Sequence, residues 1–283
     1  MGQGVDMAAD KRDGAADVDA PVIVFEHVKL AFDDKVVLGD ISFTVRKGHT
    51  MIILGASGSG KSTILKIVTG LLRADEGAVS VNGSRVDQLS EKDLMPVRGD
   101  LGMIFQEGAL FDSLTVKENV GYKLYEETDM PLEDVGRRVE EVLGFVGLVE
   151  HIEKMPSELS GGQRRRVAIA RAMAFKPGIL LYDEATTGLD PITATTVDDE
   201  IIKLRDLENV TSIVVTHQLR DAFYVATHMA VRDAHGDVRI VPATAEKSDE
   251  AEFIMLRDGH ICFEGNASEL RTSLDPYLKT FLS

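Results

Sequence analysis

The sequence predicts an α/β fold, and three patterns along the chain predict it. Short runs of β-branched and aromatic residues, bounded by Gly and Asp, are typical of strands. After Gly60 the apolar positions change to helical spacing, so a strand, a glycine-rich loop and a helix follow one another. A longer helical stretch then separates these elements from a second group of strands. The strand-like runs cover residues 22–28, 41–45, 51–54, 179–182 and 213–216.

The other elements can be placed in chain order by the same criteria. Val135, Val139 and Val142 recur at helical intervals in a region, about 94–160, that predicts a helical subdomain between two α/β halves. The Asp258-Gly259 pair predicts a tight turn in a terminal hairpin. Further helices are expected at residues 115–124, 193–204, 267–272 and 276–282.

The composition is that of an ordinary folded protein. Its 283 residues are enough for one large domain or two smaller ones, and 44% of them are hydrophobic. Acidic residues outnumber basic ones by 47 to 31, which gives a net charge of -16. Such a charge argues against binding to the phosphate backbone of nucleic acid and against adsorption to an anionic membrane. We therefore expect no nucleic-acid partner.

Three features of the sequence bear on the cellular compartment in which the chain acts. No apolar run approaches the roughly 20 residues that a membrane-spanning helix needs. The single cysteine, Cys262, excludes an intramolecular disulfide and favours a reducing cytosol. Residues 1–20 are rich in Gly, Ala and Asp and lack the apolar core of a signal peptide, so they are interpreted as a disordered acidic tail.

The glycine-rich loop is the strongest chemical signal in the chain. Its glycines let successive backbone amides converge on phosphate oxygens, while Lys61 neutralises the β- and γ-phosphates and Ser62 offers a hydroxyl to Mg²⁺. A plain glycine-rich turn is the alternative. The loop consists of Gly55, Ala56, Ser57, Gly58, Ser59, Gly60, Lys61 and Ser62, and Thr63 follows it.

An acidic pair follows the apolar run at 178–182. A strand buried on both faces would deliver Asp183 and Glu184 at its carboxyl end, next to the glycine-rich loop. Asp183 would then hold Mg²⁺, and Glu184 would orient or deprotonate an attacking water. The alternative is a strand that ends in a solvated acidic turn.

A second candidate anion site precedes a helix rich in Arg and Ala. Ser160 is interpreted as the N-cap of that helix, and Gly161 and Gly162 would expose backbone amides at its start, with Gln163 following. A capped helix with a solvated arginine face is the alternative. Taken with the two preceding motifs, these residues carry a family resemblance.

The sequence Leu-Ser-Gly-Gly-Gln at 159–163, between a phosphate-binding loop and an acidic strand end, resembles the ATP-binding cassette (ABC) family. The resemblance covers roughly residues 22–269. It implies a P-loop NTPase fold with a RecA-like core, an antiparallel β subdomain and a helical subdomain. The expected boundaries are 21–265 for the ATPase domain and 266–283 for a helical tail. ATP and Mg²⁺ are the implied cofactors.

The same resemblance assigns further site residues. Gln106 is the implied Q-loop glutamine, which senses Mg²⁺ and faces a membrane partner, and Asp190 belongs to the D-loop. His217 is the implied switch histidine at the γ-phosphate, although an isolated histidine is more often structural. Phe32 stands where the family places an aromatic that stacks on adenine, with a core role as the alternative.

Family geometry implies a working unit of two chains. In the family, the Ser-Gly-Gly loop of one subunit faces the phosphate-binding loop of another, so that two ATP molecules are held between head-to-tail domains. This chain has one copy of each motif. We therefore expect a homodimer that closes with ATP and opens after hydrolysis.

The segment at 106–116, with 155–158 and 190–192, resembles the Mla and Mce lipid-transport ATPases. That resemblance implies a subunit powering phospholipid transport from the cytoplasmic face of the membrane. Its partners would be an MlaE-like permease docked near the Q-loop and, indirectly, an MCE-domain protein. The alternatives are internal packing of the segment, an importer or exporter ATPase for another small solute, and a soluble clamp in DNA repair or translation.

Two features depart from the lipid-transport pattern. Ala185 stands where that group usually has Pro, and no loss of chemistry is expected from it. Residues 232–251 form an acidic insertion in the terminal hairpin region, and we expect a solvated surface loop there, with a regulatory or partner contact as the alternative.

Overall fold

The computed structural model describes residues 21–106 and 108–282, so the expectation for residues 1–20 lies outside the described residues. The strands are β1 (Pro21–Phe32), β2 (Lys35–Arg46), β3 (Thr50–Gly55), β4 (Glu76–Val81), β5 (Ser84–Arg85), β6 (Leu101–Ile104), β7 (Ile179–Asp183), β8 (Thr211–Thr216), β9 (His228–Arg232), β10 (Val238–Pro242), β11 (Ala251–Arg257) and β12 (His260–Asn266). The helices are α1 (Lys61–Val68), α2 (Glu91–Gly99), α3 (Val116–Glu127), α4 (Leu132–Phe145), α5 (Gly161–Ala174), α6 (Pro191–Glu208), α7 (Leu219–Thr227), α8 (Ala245–Ser248), α9 (Ala267–Thr272) and α10 (Pro276–Leu282). The predicted α/β class is confirmed.

A six-stranded sheet positions the chemistry. Its strand order is β12-β11-β3-β8-β7-β6, and every neighbouring pair is parallel except β11 with the edge strand β12. Side chains of β3 and β8 are buried on both faces, as expected for parallel strands covered on each side. Because parallel strands point the same way, the carboxyl ends of β3, β7 and β8 meet at one edge.

The two faces of this sheet belong to two different hydrophobic cores. Along β3, Met51 and Ile53 face a core shared with α1 and with the four-stranded antiparallel sheet β2-β1-β4-β5. Ile52 and Leu54 face the other core, which continues into α3, α4 and α5. The strand's side chains alternate because successive residues of a strand point to opposite faces.

Capping residues determine where the helices of the helical subdomain begin. Thr115 and Glu118 form a reciprocal capping box at α3, and Ser160 and Gln163 form another at α5. Buried Asn119 ties the preceding loop to α3, because its side chain bonds the backbone of residues 111, 114 and 115. The predicted N-cap role of Ser160 is confirmed.

The expectation for residues 232–251 is right about exposure, since only Ala251 of this segment is buried, but wrong about an irregular loop for most of its length. The strand β10 pairs with β9 in a two-stranded antiparallel sheet, and α8 follows. Val238 and Ile240 alternate along β10 and pack against the core, which explains why this short stretch is ordered. The Lys247 ammonium on α8 lies 3.1 Å from the Asp206 carboxylate on α6 and ties the segment to the domain.

Within residues 21–106 and 108–282, no helix combines the length and the apolar character that a bilayer span requires.

Candidate functional site

The glycine-rich loop joins β3 to α1 and leaves its backbone amides available. Gly58 and Gly60 have φ angles of 78° and 103°, a left-handed region that favours glycine. A Cβ on Gly60 would also lie 2.9 Å from the Val37 carbonyl oxygen, so a larger residue would clash there. No side chain caps the start of α1. Its amides can therefore bind an anion.

Lys61 is buried at the start of α1 with only 5% of its surface exposed. Its ammonium donates hydrogen bonds to the carbonyl oxygens of Gly55 and Ala56, at 2.8 and 3.1 Å. It also lies 3.6 Å from a carboxylate oxygen of Glu184. The loop thus holds a positive charge at the position where phosphate oxygens would gather.

Ser62 and Asp183 provide oxygen ligands between α1 and the end of β7. The Ser62 hydroxyl donates to the Asp183 carboxylate at 2.8 Å. A hydroxyl and a carboxylate are the ligand types that Mg²⁺ accepts, usually together with water and phosphate oxygens. The donor set therefore fits Mg²⁺, which the Ser62 hydroxyl and the Asp183 carboxylate would hold, directly or through water.

Glu184 has an unusual backbone and a tightly held side chain. Its φ is 54°, uncommon for a residue with a side chain, and its amide donates to the Val215 carbonyl of β8 at 2.9 Å. Its carboxylate accepts a 2.7 Å bond from the Thr187 hydroxyl and lies 2.6 Å from His217 Nδ1. Strained conformations of this kind concentrate at functional sites, where neighbouring contacts maintain them.

One cleft of about 540 Å³ at the carboxyl edge of the sheet is lined by Lys61, Ser62, Glu184 and His217. The expected site residues Gly55, Ser59 and Asp183 are not in its lining. Gln106, which follows β6, is also in its wall. Three lining residues have no signal in the sequence, and one of them is Thr187, whose hydroxyl bonds the Glu184 carboxylate. Val37 of β2 lies behind the loop, and Phe281 of α10 reaches the cleft from the far end of the chain. Residues of the expected site in its lining are Ala56, Ser57, Gly58, Gly60, Lys61, Ser62, Thr63, Gln106, Glu184 and His217.

Other expected site residues lie outside this lining. The Ser160–Gln163 turn begins α5, and Gly161 lines a separate cleft that also contains Gln106 and Thr187. Asp190 caps α6, and hydrogen bonds from the Thr193 side chain and backbone lower its pKa.

Phe32 stands at the end of β1 and is 49% exposed, so the alternative of a core role is wrong. It does not line the cleft, and Val37 does so instead. The stacking role of Phe32 stays a prediction, because nothing in the described geometry tests it.

The chain matches known proteins along most of its length. The family model described as ABC transporter matches residues 38–187. The methionine import ATP-binding protein MetN of Bifidobacterium longum (strain NCC 2705) is 40% identical over 83% of this chain and 61% of that protein. Protein TRIGALACTOSYLDIACYLGLYCEROL 3, chloroplastic, of Arabidopsis thaliana is 36% identical over 92% of this chain and 73% of that protein.

Another relative and a solved structure give the same family. A protein of Sinorhizobium fredii (strain NBRC 101917 / NGR234), named as a probable amino-acid ABC transporter ATP-binding protein, is 40% identical over 75% of this chain and 86% of that protein. The dimeric, post-hydrolysis structure of the ATP-binding cassette MJ0796 bound to ADP and Pi has a TM-score of 0.70 and 29% identity, covering 86% of this chain and 98% of that chain.

The comparisons support the expectation of an ABC ATPase and not the narrower expectation of an Mla-type lipid-transport ATPase. The P-loop cassette fold is confirmed, and ABC ATPases bind ATP with Mg²⁺. The names of the relatives point to methionine and other amino acids more than to an Mla-type lipid system. The chain spans 61% of the MetN relative and thus corresponds to part of it. On this combination of fold, cleft and matches, the chain belongs to the ABC transporter family and carries its ATPase domain.

Proposed function

We propose that the chain is the ATP-hydrolysing subunit of an ABC transporter, acting as a pair of copies on a membrane permease. The observation that carries the proposal is the convergence of Lys61, Glu184 and His217 beside the Ser62–Asp183 pair. A cation, a carboxylate with two hydrogen-bonding partners and an oxygen donor set are the groups that phosphoryl transfer to water requires.

Each group has a distinct role in the proposed reaction. Lys61 and the loop amides bind the β- and γ-phosphates. Ser62, Asp183 and Gln106 would hold Mg²⁺, which would neutralise phosphate charge. Glu184 orients the attacking water and accepts its proton, while His217 keeps the carboxylate in place and contacts the γ-phosphate.

A second copy of the chain would complete each site. The amides at Gly161 and Gly162 begin a helix and can bind an anion, yet they do not line the cleft of Lys61. The MJ0796 relative is a dimeric structure with ADP and Pi. We infer that the Ser160–Gln163 turn of one copy closes over the nucleotide of the other, next to Asp190.

The proposed contact with the permease lies beside Gln106. Phe105, Phe111 and Tyr122 are exposed there, and the rings of Phe111 and Tyr122 lie 4.6 Å apart. Exposed aromatic clusters of this kind are typical of protein interfaces. The net charge of -16 disfavours direct adhesion to anionic lipid, so this protein contact would hold the subunit at the cytoplasmic face.

For the cargo we propose a small solute of the amino-acid class. The MetN and Sinorhizobium relatives carry amino-acid transport names and are each 40% identical to this chain. A lipid is the second candidate, with an MlaE-like permease and an MCE-domain partner. The Arabidopsis relative, whose name is that of a galactolipid, aligns over 92% of this chain and supports this candidate, as does the segment at 106–116.

Purification of the native complex from membranes tests both the transporter assignment and the proposed cargo. Mass spectrometry of the bound proteins and small molecules should identify a permease. An amino-acid-binding partner would support the first cargo, and an MCE-domain protein with bound phospholipid would support the second. Absence of any permease from an intact, ATP-hydrolysing complex would contradict the transporter assignment.

A further inference from the structure

Arg165 is buried and so does not belong to a solvated arginine face, the alternative considered for this helix. It lies in the first turns of α5, and 8% of its surface is exposed. One guanidinium nitrogen donates to the Phe105 carbonyl at 3.2 Å. Another donates to the Thr187 carbonyl at 3.0 Å. A single side chain therefore bonds two separate backbone segments.

Both segments belong to the proposed reaction centre. Phe105 directly precedes Gln106, which lines the cleft. Thr187 belongs to the turn after Glu184, because its amide donates to the Glu184 carbonyl at 3.1 Å and its hydroxyl donates to the Glu184 carboxylate at 2.7 Å. Of the two residues that Arg165 bonds, Phe105 thus precedes Gln106 in the chain and Thr187 is hydrogen-bonded to Glu184.

We propose that Arg165 is a positioning residue for ATP hydrolysis. It fixes the Thr187 turn so that the Glu184 carboxylate keeps its place, and it links that turn to the segment carrying Gln106. Arginine suits this role because its planar guanidinium presents several donors in a fixed fork. A lysine at the same position offers a single ammonium and does not reproduce the fork geometry between the two carbonyls.

Arg138 offers a matched control, because it also contacts helix α5. It belongs to α4 and donates to the carbonyl oxygens of Met173 and Ala174, at 2.7 and 3.0 Å, at the far end of α5. Arg138 thus donates a pair of hydrogen bonds to backbone carbonyls, as Arg165 does. Its acceptors do not line the cleft. Loss of Arg138 should affect packing and not the position of Glu184.

The kinetic test compares the wild-type chain with Arg165→Ala, Arg165→Lys and Arg138→Ala. Phosphate release from MgATP is measured over a range of ATP concentrations, and thermal melting is recorded for each variant. Arg165→Ala should lower kcat about 10- to 100-fold with KM changed less than about 2-fold, since misplacing a catalytic group costs rate and not binding. Arg165→Lys should recover part of kcat, and Arg138→Ala should leave kcat within about 2-fold.

A double variant separates positioning from general damage. Thr187→Val removes the hydroxyl that bonds Glu184 and should lower kcat by itself. Because Arg165 acts through this turn, the Arg165→Ala, Thr187→Val chain should lose no more activity than about the worse single variant. The proposal would be overturned if the double variant lost kcat by the product of the two single losses, or if Arg165→Ala left kcat unchanged.

The kinetic test rests on the proposed ATP hydrolysis. If that proposal is wrong, the wild-type chain itself will show no turnover. Hydrogen exchange tests the link without any turnover. In Arg165→Ala, peptides covering residues 100–112 and 183–190 should exchange faster together, while Arg138→Ala leaves both unchanged. Unchanged protection of both peptides in Arg165→Ala would refute the link even where the chain hydrolyses ATP.

Discussion

At the scale of single residues, Glu184 is held both through its backbone and through its carboxylate. Its backbone adopts a φ of 54°, and its carboxylate contacts Thr187, His217 and, at 3.6 Å, Lys61. A conformation of this type costs on the order of 1–3 kcal/mol and persists only where its surroundings hold it. Those surroundings are the same groups that would act on the nucleotide.

Glu184→Gln should bind ATP normally and hydrolyse it about 10²- to 10⁴-fold more slowly, because an amide cannot accept the proton of the attacking water. The slow variant should accumulate as a nucleotide-bound dimer in size-exclusion chromatography with MgATP. Glu140→Gln, an exposed glutamate on α4, is the control. Turnover at the wild-type rate in Glu184→Gln would remove Glu184 from the catalytic role.

Lys61→Ala should lose most of the affinity for nucleotide. The substitution removes the buried positive charge that lies on the phosphate-binding loop. Titration with a fluorescent ATP analogue measures the effect, and Lys66→Ala, an exposed lysine on the same helix, should bind like the wild type. Equal affinities for the two variants would show that Lys61 does not contact phosphate.

Sequence patterns could identify the residues whose chemistry depends on local spacing. The glycine-rich loop with Lys61 and the Asp183-Glu184 pair are of this kind. The roles of Val37, Arg165 and Phe281 depend on distant segments. Arg165 bonds backbone carbonyls, which every residue carries, and Phe281 enters the cleft through the packing of α10. Neither contact leaves a pattern in the sequence.

At the scale of elements, α6 and α7 bring two buried carboxyls together. Asp198 and Asp221 are 2% and 3% exposed, and one oxygen of each has no hydrogen-bond partner among the described residues. Burial, followed by the charge of Asp221, raises the pKa of Asp198 to about 8, against a smaller lowering by Arg220. The folded chain therefore holds a proton there that the unfolded chain releases near its ordinary pKa of 3.8.

The contribution of Asp198 to stability should fall as the pH rises between about 4 and 8, by at most about 1.4 kcal/mol per pH unit. The raised pKa means that the stabilisation is complete below the unfolded pKa and lost as the pH passes the folded one. Asp198→Asn, which stays neutral, should flatten this part of the profile. Urea unfolding of the wild type and Asp198→Asn at pH 5.5 and 8.0 measures this difference. An equal change in the free energy of unfolding of both chains between the two pH values would contradict the prediction.

Elements with strong local signals could be predicted, whereas those made by tertiary pairing could not. Strand β3, helix α1 and the helices α9 and α10 follow from spacing and turn residues, and the structure has them where the sequence suggests. The β9–β10 sheet is different. The strand β10 carries three β-branched residues, Val238, Ile240 and Val241, but its place in the molecule depends on pairing with β9 and on the contact between Lys247 and Asp206 of α6.

At the scale of the whole molecule, the six-stranded sheet belongs to both hydrophobic cores. Its β3 side chains alternate between them, so neither core can lose its contacts without exposing a face of the same strands. We expect one cooperative thermal transition for the region of residues 21–282, with equal calorimetric and van't Hoff enthalpies. Two resolved transitions would show that the helical subdomain unfolds separately.

The shared sheet also links nucleotide binding to the stability of parts that never touch nucleotide. A ligand bound only to the folded chain at about 100 times its Kd adds about 2.7 kcal/mol to the free energy of unfolding. Since the antiparallel sheet shares a core with β3, that gain extends to β4, which contributes no residue to the cleft lining. A series of melting curves at increasing nucleotide concentration, recorded by any probe in the molecule, then gives the affinity for nucleotide before the cargo is known.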